Sequence, residues 1–402
     1  MRQSARIYAE LVANAANRFS SDAGLLGKIT GYRLSQAIAP GLGWALGFLD
    51  DIAVGVVRFF DKGRFFNDGI GDIKALEESE RVMKGLCLGH QPLPKIENLV
   101  WEKQTPDSDS VREATFDTPF SEFVPDECKK AHFQIIVPSD QPVRAVVVHF
   151  QMTADESFEF RRKHIASKLL SSGIASILLM NPLYGTRRPL GQERHFYRTV
   201  SDFVQATVVG IIEGAMVVNW CRSEFPEAAI CLTGISAGAV SAAGSALLSG
   251  GQVAVVPCIG PGSGRPFVNG ALSSHVNWSS ITRSLGCAND QDAQAYLLEL
   301  FSKKHLRKMS NWRKESGQEA SLVSISVAAS NDRCVPPIDS QELHEILREA
   351  SHYEEINWIY GGHCLGIKLA SARFVPVVER AIRILQQSIE NTVSDISYYK
   401  TL

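Results

Sequence analysis

Ser236 stands between two glycines in Thr233-Gly-Ile-Ser-Ala-Gly238, where a short apolar run starting at Ile230 gives way to the small-residue run 237–248. G-x-S-x-G between a strand and a helix is the arrangement that holds a serine hydroxyl clear of a sheet edge so that it can attack. A side chain two positions before or after the serine would strike the neighbouring strand or helix, so the turn asks for glycine there. A serine hydroxyl is a poor nucleophile unless a base takes its proton and an acid orients that base. Both residue types occur at later strand ends. Asn331-Asp332-Arg333 follows the run 324–329, and Gly361-Gly362-His363 follows the run 356–360. Asp332 and His363 are 31 positions apart, room for one helix and one strand. Taken singly, G-x-S-x-G can be a chance match, Asp332 a turn residue and His363 a loop histidine. Their order, spacing and common strand-end placement point to Ser236 as nucleophile, His363 as base and Asp332 as the orienting acid. Asp339, Glu354 and Glu355 are less well placed for the acid.

Such chemistry also needs two backbone N–H groups to hold a developing oxyanion. One is expected from Ala237, directly after the serine at a helix start. The other is expected from the loop after the strand 143–150, at Gln151 or Met152. His149 reads as packing beneath that loop. Arg187 and Arg188 directly follow a strand end and are candidate contacts for an anionic head group, as Trp278 is for the substrate cleft. For Arg161, Arg162, Lys163 and His164 a solvated helix face is the simpler reading.

The elements that would position these groups alternate. Apolar runs at 133–138, 143–150, 175–180, 230–234, 253–257, 324–329 and 356–360 read as strands. Helical spacing marks 156–172, 200–221, 340–349 and 370–389. This alternation predicts an α/β fold with a mostly parallel central sheet and helices on both faces. Residues 116–125, with two prolines, read as loop. The interval 260–320 is longer than a connection needs and reads as a cap insertion. Residues 1–90 read as an N-terminal helical extension, with Ile73, Leu76, Val82 and Met83 on one face, ahead of a domain spanning 91–402.

The bulk properties narrow the field. With 402 residues the chain can bury a large core. The 41 basic residues nearly balance the 43 acidic ones, without long charge runs, which argues against nucleic acid as a partner. Eight cysteines lie scattered with no C-x-x-C spacing, the pattern of reduced thiols in an intracellular protein. No secretory leader pattern follows Met1. Residues 1–33 carry five basic and two acidic residues among many Ala and Ser. That composition suits a mitochondrial transit peptide, and an ordinary N-terminal helix equally. The apolar stretch 37–60 is interrupted by Asp50-Asp51 and several glycines, so it reads as a buried or interfacial helix pair rather than a span. No metal or nucleotide signature is present, and no cofactor is expected.

Five blocks in one order carry a family resemblance: Phe133-Gln-Ile-Ile-Val-Pro138, Asn181-Pro-Leu-Tyr-Gly-Thr-Arg-Arg-Pro189, Thr233-Gly-Ile-Ser-Ala-Gly238, Val276-Asn-Trp278 and Gly361-Gly-His363. Across about residues 116–385 the chain resembles the α/β-hydrolase domain-containing protein 18 family. The N-P-x-Y-G-x-R-x-P block is the specific part; G-x-S-x-G is generic. The resemblance implies an α/β-hydrolase fold and a serine hydrolase with Ser236, Asp332 and His363 as its triad. It further implies a mitochondrial phospholipid deacylase acting on cardiolipin, in peripheral contact with a membrane. Two departures stand out. The family's H-L-A-G-T-G-D is His149-Phe-Gln-Met-Thr-Ala-Asp155 here, without either glycine, and its Gly-His after the second elbow glycine is Ala239-Val240. The missing glycines motivate an alternative, a weakly active or inactive scaffold that binds a lipid or a protein partner.

Overall fold

Valine, isoleucine, leucine and alanine fill the middle strand segments without polar alternation, so both faces of those strands have to be covered. The computed structural model describes residues 50–51, 63–102, 111–302, 305–318 and 320–400 and satisfies this with one sheet. Its strands are β1 (Val100–Trp101), β2 (Val111–Asp117), β3 (Lys130–Ile136), β4 (Ala145–Phe150), β5 (Ile174–Met180), β6 (Ala229–Ile235), β7 (Gly251–Cys258), β8 (Ala320–Ala329) and β9 (Ser351–Ile359). Among the described residues they lie in the order β1-β2-β3-β5-β4-β6-β7-β8-β9. From β5 to β9 every pairing is parallel, and β1 to β3 attach antiparallel at one edge.

β4, β5 and β6 are buried along their whole length. Because side chains alternate along a strand, Val146 and Val148 join one apolar layer and Val147 the other. The first layer is closed by the helices Val200–Glu224 and Ala237–Ser249, the second by Val378, Ile382 and Leu385 of the helix Val375–Lys400. Each such fully buried aliphatic side chain contributes about 1.5–3 kcal/mol relative to exposure.

Val200–Glu224 is long and apolar enough to cross a membrane by length and composition, yet its most apolar window is 78% buried within the fold. It is a core helix. A reciprocal cap starts it: Thr199 Oγ1 accepts from Asp202 N at 3.0 Å, and the Asp202 carboxylate accepts from Thr199 N at 3.0 Å.

The expected strands are present with shifted ends, as are the helices expected over 156–172, 200–221, 340–349 and 370–389, and of the extension expected over 1–90 the described part is helical at Ile73–Cys87. The stretch read as loop from residue 116 begins inside β2, where Ala114 and Phe116 point into the core and pair with β3. The helix expected over 156–172 is Glu159–Ser172, with a wide π turn at Arg162–Ala166. The closing helix is broken at Phe374, because Pro376 has no N–H to donate and is tolerated only in a first turn.

Two segments form a roof over the carboxyl ends of the strands. One is the insertion between β7 and β8, built of the helices Pro266–Asn269, Trp278–Leu285, Asp290–Ser302 and His305–Glu315. The other is the helix Ile73–Cys87, capped by Asp72, whose carboxylate accepts from Lys74 N at 2.8 Å. It buries Leu76, Val82 and Met83, whereas Ile73, expected on the same face, is 47% exposed. Residues 63–87 share the core of the main domain. Phe65 and Phe66 meet Phe267 edge to face, with ring centroids 4.9 and 5.3 Å apart, and Phe65 O accepts from Asn277 N at 2.9 Å. Residues 1–33 and all of the stretch 37–60 except Asp50 and Asp51 lie outside the described residues.

Candidate active site

β6 ends at Ile235 and the helix Ala237–Ser249 begins two residues on, so Ser236 has to make the whole turn. It does so at φ 55° and ψ −121°, a conformation that costs a non-glycine residue about 1–3 kcal/mol. The flanking glycines are needed for the expected reason. A Cβ on Gly234 would sit 2.2 Å from Gly238 O, and one on Gly238 would sit 2.6 Å from Phe150 O. Ser236 N donates to Cys258 O at 2.9 Å, fixing the turn to β7.

The turns after β8 and β9 bring Asp332 and His363 to the same serine. The Ser236 hydroxyl donates to His363 Nε2 at 3.0 Å, and His363 Nδ1–H donates to Asp332 Oδ2 at 2.7 Å. Asp332 Oδ1 accepts from Val335 N at 2.7 Å, which fixes the carboxylate oxygen that the ring does not engage. All three side chains are buried. Burial of the imidazole opposes its charged form, but the charge and hydrogen bond of Asp332, with a further contribution from Asp50, leave its pKa raised above the ordinary histidine value. The expected nucleophile, base and acid thus meet in a chain of hydrogen bonds.

A deep cavity opens on this chain. Ser236, Ala237, Thr153 and Asn181 are among the residues that line it. Its walls are apolar, with Val240, Phe203, Phe267, Phe301 and Met309 among them. The roof helices supply much of that wall, including Met83 from Ile73–Cys87. The cavity was visible in the sequence only as an over-long insertion.

Ala237 lies at the first position of its helix, where the backbone N–H has no intrahelical partner. The opposite loop holds its shape without the two glycines. Gln151 is fully buried and bridges the loop, its Nε2 donating to Asp155 O at 2.7 Å and its Oε1 accepting from Asn181 N at 2.6 Å. Arg161 clamps the same loop from below, donating to His149 O at 3.0 Å and to Asp155 Oδ2 at 2.7 Å. The side chain of Met152 turns to a second, smaller cavity beneath the loop, and Thr153 is the loop residue on the wall beside Ser236. His149 packs beneath, as expected, 3.1 Å from Ser176 Oγ, and burial followed by the charge of Arg161 pushes its pKa down to about 3. Arg161, read as part of a solvated face, is instead a buried ion-pair partner.

The candidate head-group contacts fall elsewhere. Arg187 is 1% exposed and cannot reach a head group. Its guanidinium donates to both carboxylate oxygens of Glu213 (2.7 and 2.8 Å), to Thr118 Oγ1 (3.0 Å) and to the carbonyls of Met180 (2.7 Å) and Cys128 (2.9 Å). Such a planar fork of donors suits a buried carboxylate better than a mobile ligand. Arg188 is partly exposed and lies 3.4 Å from Glu156. Trp278 is not on the cavity wall: its indole N–H donates to Ser273 O at 3.0 Å, and its helix is tied to the chain near Asn67. The sequence reading passed over Glu213, hidden in an apolar helix, and Asp50, read only as a charge interrupting an apolar stretch.

A parallel sheet with a serine turn after β6, an acid after β8 and a histidine after β9 defines an α/β-hydrolase. The family model for alpha/beta hydrolase domain containing 18 matches residues 63–321, and the chain belongs to that family. Among solved structures, it is similar to a cold-adapted esterase from an Arctic intertidal metagenomic library (12% identity, covering 70% of this chain and 99% of the other, TM-score 0.43). It is similar also to an acetyl xylan esterase from Paenibacillus sp. R4 (15% identity, 78% and 97% coverage, TM-score 0.47). A third is the Pyrococcus furiosus esterase Pf2001 (14% identity, 74% and 99% coverage, TM-score 0.42). Likenesses this distant say nothing of a substrate.

Proposed function

We propose that the protein hydrolyses acyl esters of lipids, and specifically that it deacylates a phospholipid of the cardiolipin kind. The observation that carries this reading is the Ser236–His363–Asp332 hydrogen-bond chain opening into an apolar cavity. In the reaction His363 Nε2 takes the proton of Ser236 Oγ as the serine attacks the ester carbonyl. Asp332 keeps the other ring nitrogen protonated and steadies the imidazolium that forms. Ala237 N–H and the backbone of residues 151–153 face the developing oxyanion. His363 then returns the proton to the leaving alcohol, and a water activated by the same imidazole releases the acid. The apolar wall suits an acyl chain, whose burial is favourable and undirected. The phospholipid class rests on the family resemblance. Peripheral contact with a membrane surface rests on the same resemblance.

The test is twofold. The folded protein should be labelled by a fluorophosphonate probe, and Ser236→Ala should abolish the label. Incubation with a phospholipid panel, followed by mass spectrometry, should yield free fatty acid and the matching lyso-lipid. Cleavage of short esters with every phospholipid left intact would refute the lipid assignment. Lipid binding without turnover, unaltered by Ser236→Ala, would favour the non-catalytic scaffold.

A further inference from the structure

Asp50 is fully buried against the turns that carry the acid and the base. Its Oδ2 accepts from His363 N at 2.8 Å and from Arg333 N at 3.1 Å, and its Oδ1 accepts from Cys364 N at 2.9 Å. Arg333 directly follows Asp332, so one carboxylate grips the backbone beside both the acid and the base. The fit is close: a Cβ on Gly362 would lie 2.4 Å from Asp50 Oδ2. An oxygen of Asp50, an oxygen of Asp332 and Cys334 Sγ lie within 4.8 Å of one another.

We propose that Asp50 is a positioning residue for the acid–base pair: it locks the turn of Asp332 to the turn of His363 and places a second negative charge beside the imidazole. The proposal rests on the hydrolase reading above. His363 opens a helix, His363–Lys368, whose first N–H groups would otherwise present partial positive charge to the ring and disfavour its protonation. Asp50 occupies those groups. All three of its partners are donors, which is what an ionised carboxylate accepts. The other titratable groups at this point are Asp332, the thiols of Cys334 and Cys364, and Arg333, whose guanidinium is paired with Asp51. Burial raises Asp50's own carboxyl, the three N–H bonds hold it down, and Asp332 pushes it up, so its pKa lies above the usual aspartate value. For His363, Asp50 acts in the same direction as Asp332 and favours the protonated ring.

Asp50→Asn tests this, because an amide must turn an N–H towards at least one backbone N–H. Histidine ring resonances followed by 15N NMR through a pH titration give the pKa of His363 with no need of turnover. In Asp50→Asn it should fall by roughly 0.5–1 unit, and kcat for an acyl ester should fall by about 10- to 100-fold with KM little changed. Gly362→Ala, which crowds the carboxylate out without removing it, should move both readouts the same way and serves if Asp50→Asn does not fold. Asp51→Asn should leave both unmoved. An unchanged His363 titration together with unchanged kcat in a folded variant overturns the proposal. Wild-type protein that takes no fluorophosphonate and turns over no ester sinks the hydrolase reading instead, while the titration still decides whether Asp50 tunes His363.

Discussion

Ser236, His363 and Asp332 form one buried polar chain at the carboxyl edge of the sheet, and Thr118, Glu213 and Arg187 form another. Both contain an acid paired to a basic group, and both sit among apolar residues. They differ in where their capacity is spent. Five hydrogen bonds to protein atoms engage the two terminal nitrogens of the Arg187 guanidinium. The Ser236 hydroxyl faces a cavity that can admit a reactant. The N-P-x-Y-G-x-R-x-P block therefore serves the scaffold through Arg187. The G-x-S-x-G turn presents the proposed nucleophile. A buried ion pair fixes the residues around it, whereas a turn of small residues leaves a hydroxyl open to a cavity.

Substitutions can break or sharpen this contrast. Ser236→Ala should have the largest effect, cutting hydrolysis of a chromogenic acyl ester by about 10⁴-fold or more while leaving the urea midpoint in place. Arg187→Ala should do the reverse. It leaves the Glu213 carboxylate buried without its counter-charge, and urea unfolding should show a loss of about 3–5 kcal/mol, with the molecules that stay folded still taking a fluorophosphonate. If Arg187→Ala lost labelling without losing stability, the two chains would not be separable as described. Val240→Trp, which fills the cavity next to the serine, should lower kcat/KM for long-chain esters by roughly 10- to 100-fold and spare acetyl esters. A pH profile comes next in size. Only the neutral imidazole can take the serine proton, and His363 is raised above the ordinary value of about 6.5. Activity should thus fall on the acid side at a higher pH than a free histidine would dictate; a midpoint at or below 6.5 would contradict the assignment. Arg188→Ala removes a partly exposed pair and should change stability by no more than about 1 kcal/mol.

The serine turn and its partners were legible because each is a local signal. Glycines flank a serine, an aspartate and a histidine follow apolar runs, and chain order ranks them. β2 was less legible, since Glu113, Thr115 and Asp117 on one face and Arg112 on the other are polar and the prolines beyond Phe116 suggested loop. Glu213 and Asp50 could not be read at all. Each owes its meaning to a partner distant along the chain, 26 positions away for Arg187 and 313 for His363. Periodicity reports which face of a helix is apolar; it does not report which backbone a lone acid will meet.

The helix Val200–Glu224 has a consequence for how the chain is made. Its sequence could pass for a membrane span even with Glu213 in its middle, and burial within the fold is what marks it otherwise. Arg187 precedes Glu213 and leaves the ribosome first. A nascent chain can therefore present the counter-charge before the apolar segment is complete, which favours collapse of the helix onto its own sheet over partition into a bilayer.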